Sequence, residues 1–216
     1  MKVGTDGVLL GAWAKVQKCR EILDVGTGTG LVALMAAQRS DACVTGVDIE
    51  PNAVEQAREN MEASPWADRL EVVEADFGTW TTDKRFDAIL CNPPYFADSL
   101  KCPDGQRTLA RHADALPLEV LARGAAQWLT QEGTLSVVLP VDRTMDMVVA
   151  AAQHGLFEVR HTVVYPKRDG KPKRVLLSFA RNQDFKEERN ALCIEEAPRA
   201  YTPEFVALVK DFYLQF

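Results

Sequence analysis

The sequence predicts an α/β fold: a doubly wound, mostly parallel sheet of seven strands, finished by a C-terminal antiparallel hairpin. Three observations predict it. Up to about residue 154, apolar runs of strand length alternate with helical patterns, which indicates a parallel sheet with helices on both faces. A glycine-rich turn, Asp24-Val-Gly-Thr-Gly-Thr-Gly30, follows the first run directly. Two later runs, Phe157–Tyr165 and Arg174–Ala180, have no helix between them, and their connector Pro-Lys-Arg-Asp-Gly-Lys-Pro-Lys suits a hairpin.

Taken in order, the first strand is Glu21–Val25, followed by a helix from Gly30 to about Gln38. That helix is apolar nearly all round (Leu31, Val32, Ala33, Leu34, Met35) and is expected to be buried. Cys43–Asp48 is the second strand. Pro51 then opens a helix at the position where a missing amide costs nothing, and Ala53, Val54, Ala57 and Met61 give it one buried stripe. Leu70–Glu74 and Phe86–Leu90 read as the third and fourth strands. An irregular stretch from Cys91 to about Ala113 holds Pro93, Pro94, Pro103 and Gly105. Leu116–Leu129 is the next helix and Gly133–Leu139 the fifth strand. A helix from about Arg143 to His154 ends at Gly155, with Met145, Met147, Val148 and Val149 read as its core side. A tail helix from Pro203 to about Tyr213 is expected to pack back on the sheet.

The chain has 216 residues, 47% hydrophobic and 26% charged, which suits one core and a single domain over 1–216. No apolar run approaches membrane-spanning length, and Met1–Gly7 lacks the apolar centre of a secretory signal. The expectation is a cytoplasmic protein with no membrane partner, monomeric or weakly dimeric. Five dispersed cysteines and three histidines away from any cysteine pair fit reduced thiols and no metal site. A net charge of -6 argues against a general electrostatic nucleic-acid binder. One stretch runs the other way: Lys167, Arg168, Lys171, Lys173 and Arg174, with Asp169, carry +4 locally and leave -10 on the rest. Any RNA contact is therefore expected to be local.

Gly26, Gly28 and Gly30 let the chain turn sharply and approach a ligand with no Cβ in the way. A nicotinamide fingerprint would need glycine at position 31, where Leu31 stands. Asp48 ends the second strand 22 residues after Gly26, the place from which an acid accepts hydrogen bonds from ribose hydroxyls. Ile49 beside it can pack on an adenine ring. The competing reading for Asp48 and Asp76 is that each only caps a helix or turn. The glycine spacing resembles the first motif of class I methyltransferases, Asp/Glu-x-Gly-x-Gly-x-Gly. That resemblance implies S-adenosylmethionine held around Gly26, Thr27, Gly28 and Gly30, with Asp24 near its ammonium. It also implies that Asp76 and Phe77, in Glu-Ala-Asp-Phe, lie near its adenine.

The fourth strand runs straight into Asn92-Pro93-Pro94-Tyr95. Pro-Pro is barred from a strand interior and fixes an extended turn, which holds its neighbours at the ligand-binding end of the sheet. The motif resembles that of methyltransferases acting on nucleobase amines or side-chain amides, and the resemblance implies an acceptor that is a poor nucleophile, because the lone pair of a conjugated amine is drawn into the π-system. Two acceptors, the Asn92 side-chain oxygen and the Pro93 carbonyl, can each take one N–H and favour a pyramidal nitrogen. Tyr95 can stack on the acceptor ring. The plainer alternative is a turn that merely ends a strand. By that resemblance Asn92 borders both acceptor and cofactor.

Across the chain the sequence is similar to bacterial tRNA1(Val) (adenine(37)-N6)-methyltransferases. The likeness lies in the Met1–Trp13 segment, Asp24–Gly30, Asn60-Met-Glu-Ala-Ser-Pro-Trp66, Asn92–Tyr95, Arg107–Arg111, Arg174-Val-Leu-Leu-Ser-Phe179 and the final Phe-Tyr-Leu. Relatives commonly carry a short basic and aromatic stretch before the Met-Lys-Val-Gly-Thr-Asp-Gly element, whereas this sequence begins on its Met. The resemblance implies a Rossmann-like fold and methyl transfer to N6 of an adenine in a tRNA anticodon loop. It places Lys2, Thr5 and Asp6 over the glycine turn beside the cofactor. Lys101, Arg107 and Arg111 would line the acceptor entrance, unless they are ordinary surface charges. Lys167, Arg168, Lys171, Lys173 and Arg174 would meet RNA phosphates, unless they form a solvated hairpin tip. Two rivals stay open: a protein glutamine methyltransferase of the release-factor type, and a non-catalytic cofactor- or RNA-binding module.

Overall fold

The computed structural model describes residues 4–93, 116–182, 188–198 and 200–213. Its centre is a mixed sheet of nine strands: β1 (Glu21–Val25), β2 (Cys43–Asp48), β3 (Leu70–Glu74), β4 (Phe86–Cys91), β5 (Leu129–Pro140), β6 (Phe157–Lys167), β7 (Arg174–Ala180), β8 (Glu188–Ala197) and β9 (Ala200–Tyr201). Across the sheet the order is β3-β2-β1-β4-β5-β7-β6-β8-β9. The first five strands pair in parallel, and β7 runs antiparallel between β5 and β6. That is the expected doubly wound sheet with a late hairpin. The two strands beyond the expected seven are β8, parallel to β6, and the short β9. β8 hid because Glu-Arg-Asn-Ala-Leu-Cys-Ile-Glu-Glu-Ala is largely polar and mostly outside the core.

The described helices are α1 (Thr5–Trp13), α2 (Leu31–Arg39), α3 (Pro51–Glu62), α4 (Leu118–Trp128), α5 (Thr144–Gln153) and α6 (Pro203–Val209). Helix α1 carries two glycines and no polar stripe, so periodicity did not reveal it. Gly7 through Trp13 are all buried. Gly11 lets it lie close on α2, since a Cβ there would sit 2.7 Å from the Met35 sulfur. Trp13 is fastened further by its indole N–H to Thr162 Oγ1 at 3.0 Å and by the Arg160 guanidinium 3.9 Å from its ring centre.

Two apolar clusters sandwich the sheet. One gathers α1, α2 and the Phe205 and Val209 face of α6 around Ile22, Val44, Leu90, Val138 and Leu176. The other packs α4 and α5 against Leu23, Val25, Ile89, Val137 and Leu177. Successive residues of one strand divide between the two clusters, as the pleat requires. The core stripe of α5 is narrower than its sequence suggests. Met147 is fully buried, but Met145 and Val149 are 66% and 50% exposed, one turn apart on the opposite side. No helix among the described residues is long and apolar enough to cross a membrane.

Candidate active site

The central strands bring the two sequence motifs together. β1 and β4 are parallel neighbours in register Val25 to Cys91, so the glycine turn and Asn92-Pro93 leave the sheet side by side at its carboxyl edge. Neighbouring strands lie about 5 Å apart. Cys91 and Pro93 are buried and Asn92 is half-buried.

Gly26, Gly28 and Gly30 adopt φ of 68°, 57° and 82°, the left-handed region that side chains other than glycine's resist. The turn hangs from the second strand: Gly26 N–H and Thr27 N–H donate to the Val47 carbonyl at 2.8 and 3.1 Å. Thr27 lies flat over Gly46, where a Cβ would come within 2.9 Å of its methyl group. Asn60 fixes the turn from α3, its amide donating to the Thr29 carbonyl at 2.9 Å. No glycine-motif reasoning singles out Gly46 or Asn60, although Asn60 lies in one of the segments that carried the family resemblance.

Asp24 is buried beneath the turn, with 2% exposure. One carboxylate oxygen accepts from Thr27 Oγ1 at 2.7 Å and from Ala33 N–H at 3.1 Å. Burial, with a smaller push from the Asp48 charge, raises its pKa from 3.8 to about 7 against the pull of those two hydrogen bonds. Asp48 uses both oxygens: one accepts Gly28 N–H at 2.8 Å and the other Glu50 N–H at 3.0 Å. Ile49 beside it is 60% exposed. Glu50 caps α3 by accepting from Asn52 and Ala53 N–H, which hold its carboxyl below the usual range.

The methyltransferase small domain family matches residues 4–160. A Phocaeicola vulgatus protein named tRNA1(Val) (adenine(37)-N6)-methyltransferase is 51% identical, covering 99% of this chain and 91% of the relative. The chain belongs to this family. A Bacteroides thetaiotaomicron protein of the same name is 49% identical over 99% of this chain and 91% of its own. Among solved structures, a protein described as a predicted O-methyltransferase from Agrobacterium tumefaciens superposes with a TM-score of 0.75 at 22% identity, covering 95% of this chain and 96% of that one. The CcbJ methyltransferase of Streptomyces caelestis gives 0.60 at 15% identity, covering 82% and 90%. At such identities the likeness establishes the fold, a class I methyltransferase sheet.

Within this methyltransferase family member, Phe77, Asp76 and Arg174 each make contacts inside the chain. Phe77 is core: its ring is buried edge-on to Trp128 at 5.1 Å and fills the space that a side chain at Gly124 would need. Asp76 makes a local turn, its carboxylate accepting Gly78 N–H at 2.8 Å. Arg174 belongs to the start of β7 and turns inward, its Nε donating to Asp6 Oδ2 at 2.8 Å. Asp6 therefore holds a guanidinium. Lys167, Arg168, Lys171 and Lys173 are exposed, with Arg168 3.7 Å from Glu196. Thr5 is exposed on the first turn of α1. Lys2, Pro94, Tyr95, Lys101, Arg107 and Arg111 lie outside the described residues. Among the described residues no group of three or more His, Cys, Asp or Glu side chains could hold a metal ion.

Proposed function

We propose that this chain transfers the methyl group of S-adenosylmethionine to the exocyclic N6 of an adenine in tRNA, namely adenine 37 in the anticodon loop of tRNA1(Val). The observation that carries this reading is the side-by-side exit of the glycine turn and Asn92-Pro93 from β1 and β4. The names borne by the relatives supply the acceptor.

The residues around the turn fit the cofactor. Among the described residues, a Cβ added at Gly26 would meet nothing within 4 Å. Exposed Ile49 offers an apolar seat for an adenine ring; Asp48 would accept from the ribose hydroxyls, and Asp24 would take the ammonium end, as the family resemblance implies. When bound, S-adenosylmethionine supplies a methyl group on a sulfonium, already activated toward a nucleophile. What remains for the chain is to orient an amine and free its lone pair. The Asn92 side-chain oxygen and the Pro93 carbonyl each accept one N–H of the amine, which favours a pyramidal nitrogen aimed at the methyl group. No base is needed before transfer, since the acidic proton appears only afterwards. An adenine in a single-stranded loop can be extruded for a few kcal/mol.

A carboxamide poses the same nucleophilicity problem, so release-factor glutamine is the competing acceptor. The test is to incubate the chain and labelled cofactor with unmodified tRNA or with release factor, then digest and analyse by mass spectrometry. One N6-methyladenosine in the anticodon loop is expected, and methylglutamine in its place would overturn the reading. Asp48→Ala is expected to raise the cofactor dissociation constant about tenfold or more, because a charged acceptor is lost and Gly28 is released. Calorimetry showing unchanged affinity would remove Asp48 from the site.

A further inference from the structure

We infer that Arg174 is a positioning residue for this methyl transfer: its ion pair with Asp6 fixes the first turn of α1 against Asn92 at the mouth of the crevice. The inference rests on the functional reading above, but its geometry is independent of the acceptor. Arg174 opens β7 in register with Pro140 of β5 on one side and Val164 of β6 on the other, so its backbone is anchored within the sheet. Its Nε reaches Asp6 Oδ2 at 2.8 Å across 168 positions of sequence. The two side chains are 32% and 25% exposed, so the pair is partly shielded from the screening that weakens surface ion pairs.

Among the described residues, the first turn of α1 is only weakly capped. Its N-cap is Gly4, no side chain caps the free amides, and the Val8 N–H reaches the Gly4 carbonyl only at 3.3 Å. Yet this turn is a wall of the site. A Cβ built on Gly7 would lie 3.3 Å from Leu31 and 3.8 Å from Val32, the residues that follow the glycine turn, and 3.7 Å from the Asn92 amide nitrogen. The Asn92 side-chain amide therefore lies beside Gly7. A shift of this turn therefore moves both the acceptor ligand and the helix that follows the glycine turn.

The competing role is phosphate contact, suggested by Arg174's place at the end of the basic stretch. The two roles separate kinetically. As a brace, Arg174→Gln lowers kcat about tenfold through misplacement, leaves the KM for tRNA within about twofold, and speeds amide hydrogen exchange at Val8–Leu10. Asp6→Asn gives the same pattern, the double variant adds little to either single change, and Arg174→Lys recovers most of the turnover. As a phosphate contact, Arg174→Gln raises the KM for tRNA, flattens its salt dependence and leaves kcat and α1 exchange unchanged; that result overturns the inference. Charge reversal at Lys167 and Lys171 serves as the comparison for an RNA-facing change. If Arg174→Gln does not fold, Asp6→Asn and Arg174→Lys carry the same comparison. A wild-type chain inert on tRNA would defeat the functional reading alone, because hydrogen exchange still decides whether the pair braces α1.

Discussion

Replacing Asn92 with alanine is expected to lower methyl transfer about a hundred- to a thousandfold while leaving cofactor affinity nearly unchanged. The magnitude is that of deleting one preorganised polar group aimed at charge that develops in a transition state. Binding is spared because the turn that would hold the cofactor hangs from Val47, Asp48 and Asn60. None of these contacts passes through Asn92. The side chain is half-buried and its neighbour Cys91 lies in the sheet core, so its truncation leaves strand β4 intact. Single-turnover methylation of unmodified tRNA, with calorimetry for the cofactor, separates the two quantities. Turnover near the wild-type rate would remove Asn92 from the acceptor site. A matching loss of cofactor affinity would assign it instead to holding the cofactor.

Much of this site was legible because it depends on local sequence. Positive φ at Gly26, Gly28 and Gly30 needs glycine, the Pro-Pro step ends a strand wherever it occurs, and an acid at the end of β2 stands beside the turn by topology. The contacts that the sequence does not reveal depend on long-range geometry. Arg174 looked like the last member of a basic run, but strand pairing turns it toward a residue near the other end of the chain. Phe77 directly follows Asp76, yet the chain's turn there sends its ring into the core beside Trp128. Helix α1 escaped because burial on all sides removes the polar stripe by which helices are recognised. Asn60 and Gly46 were unread because each matters only through what folding brings onto it, the Thr29 carbonyl and the Thr27 side chain.

Asp24 gives the second large effect, and it is read by pH. Its carboxyl titrates near 7 in the folded chain instead of near 3.8. An acid whose folded pKa is raised favours folding only while protonated. Its contribution is fully present below the unfolded value, is lost as pH rises from about 4 to about 7, and stays lost above that. Binding a cationic ammonium beside it favours the ionised form, so cofactor binding should expel a proton around neutral pH. The cofactor dissociation constant is then expected to fall several-fold as pH rises from about 6 to about 8. Calorimetry at about pH 6.5, in buffers of different ionisation enthalpy, reads the proton release directly. Asp24→Asn keeps an oxygen for Thr27 and Ala33 but cannot ionise. It is expected to bind cofactor at least about tenfold more weakly at pH 8, with affinity flat across the same range. The same variant should also melt higher than the wild type at pH 8, and the difference should shrink toward pH 4, because the wild type alone bears the cost of a buried charge. A wild-type affinity that does not move with pH would mean that the buried carboxylate has no part in holding the ammonium, and Asp24 would then serve only to tie Thr27 to α2.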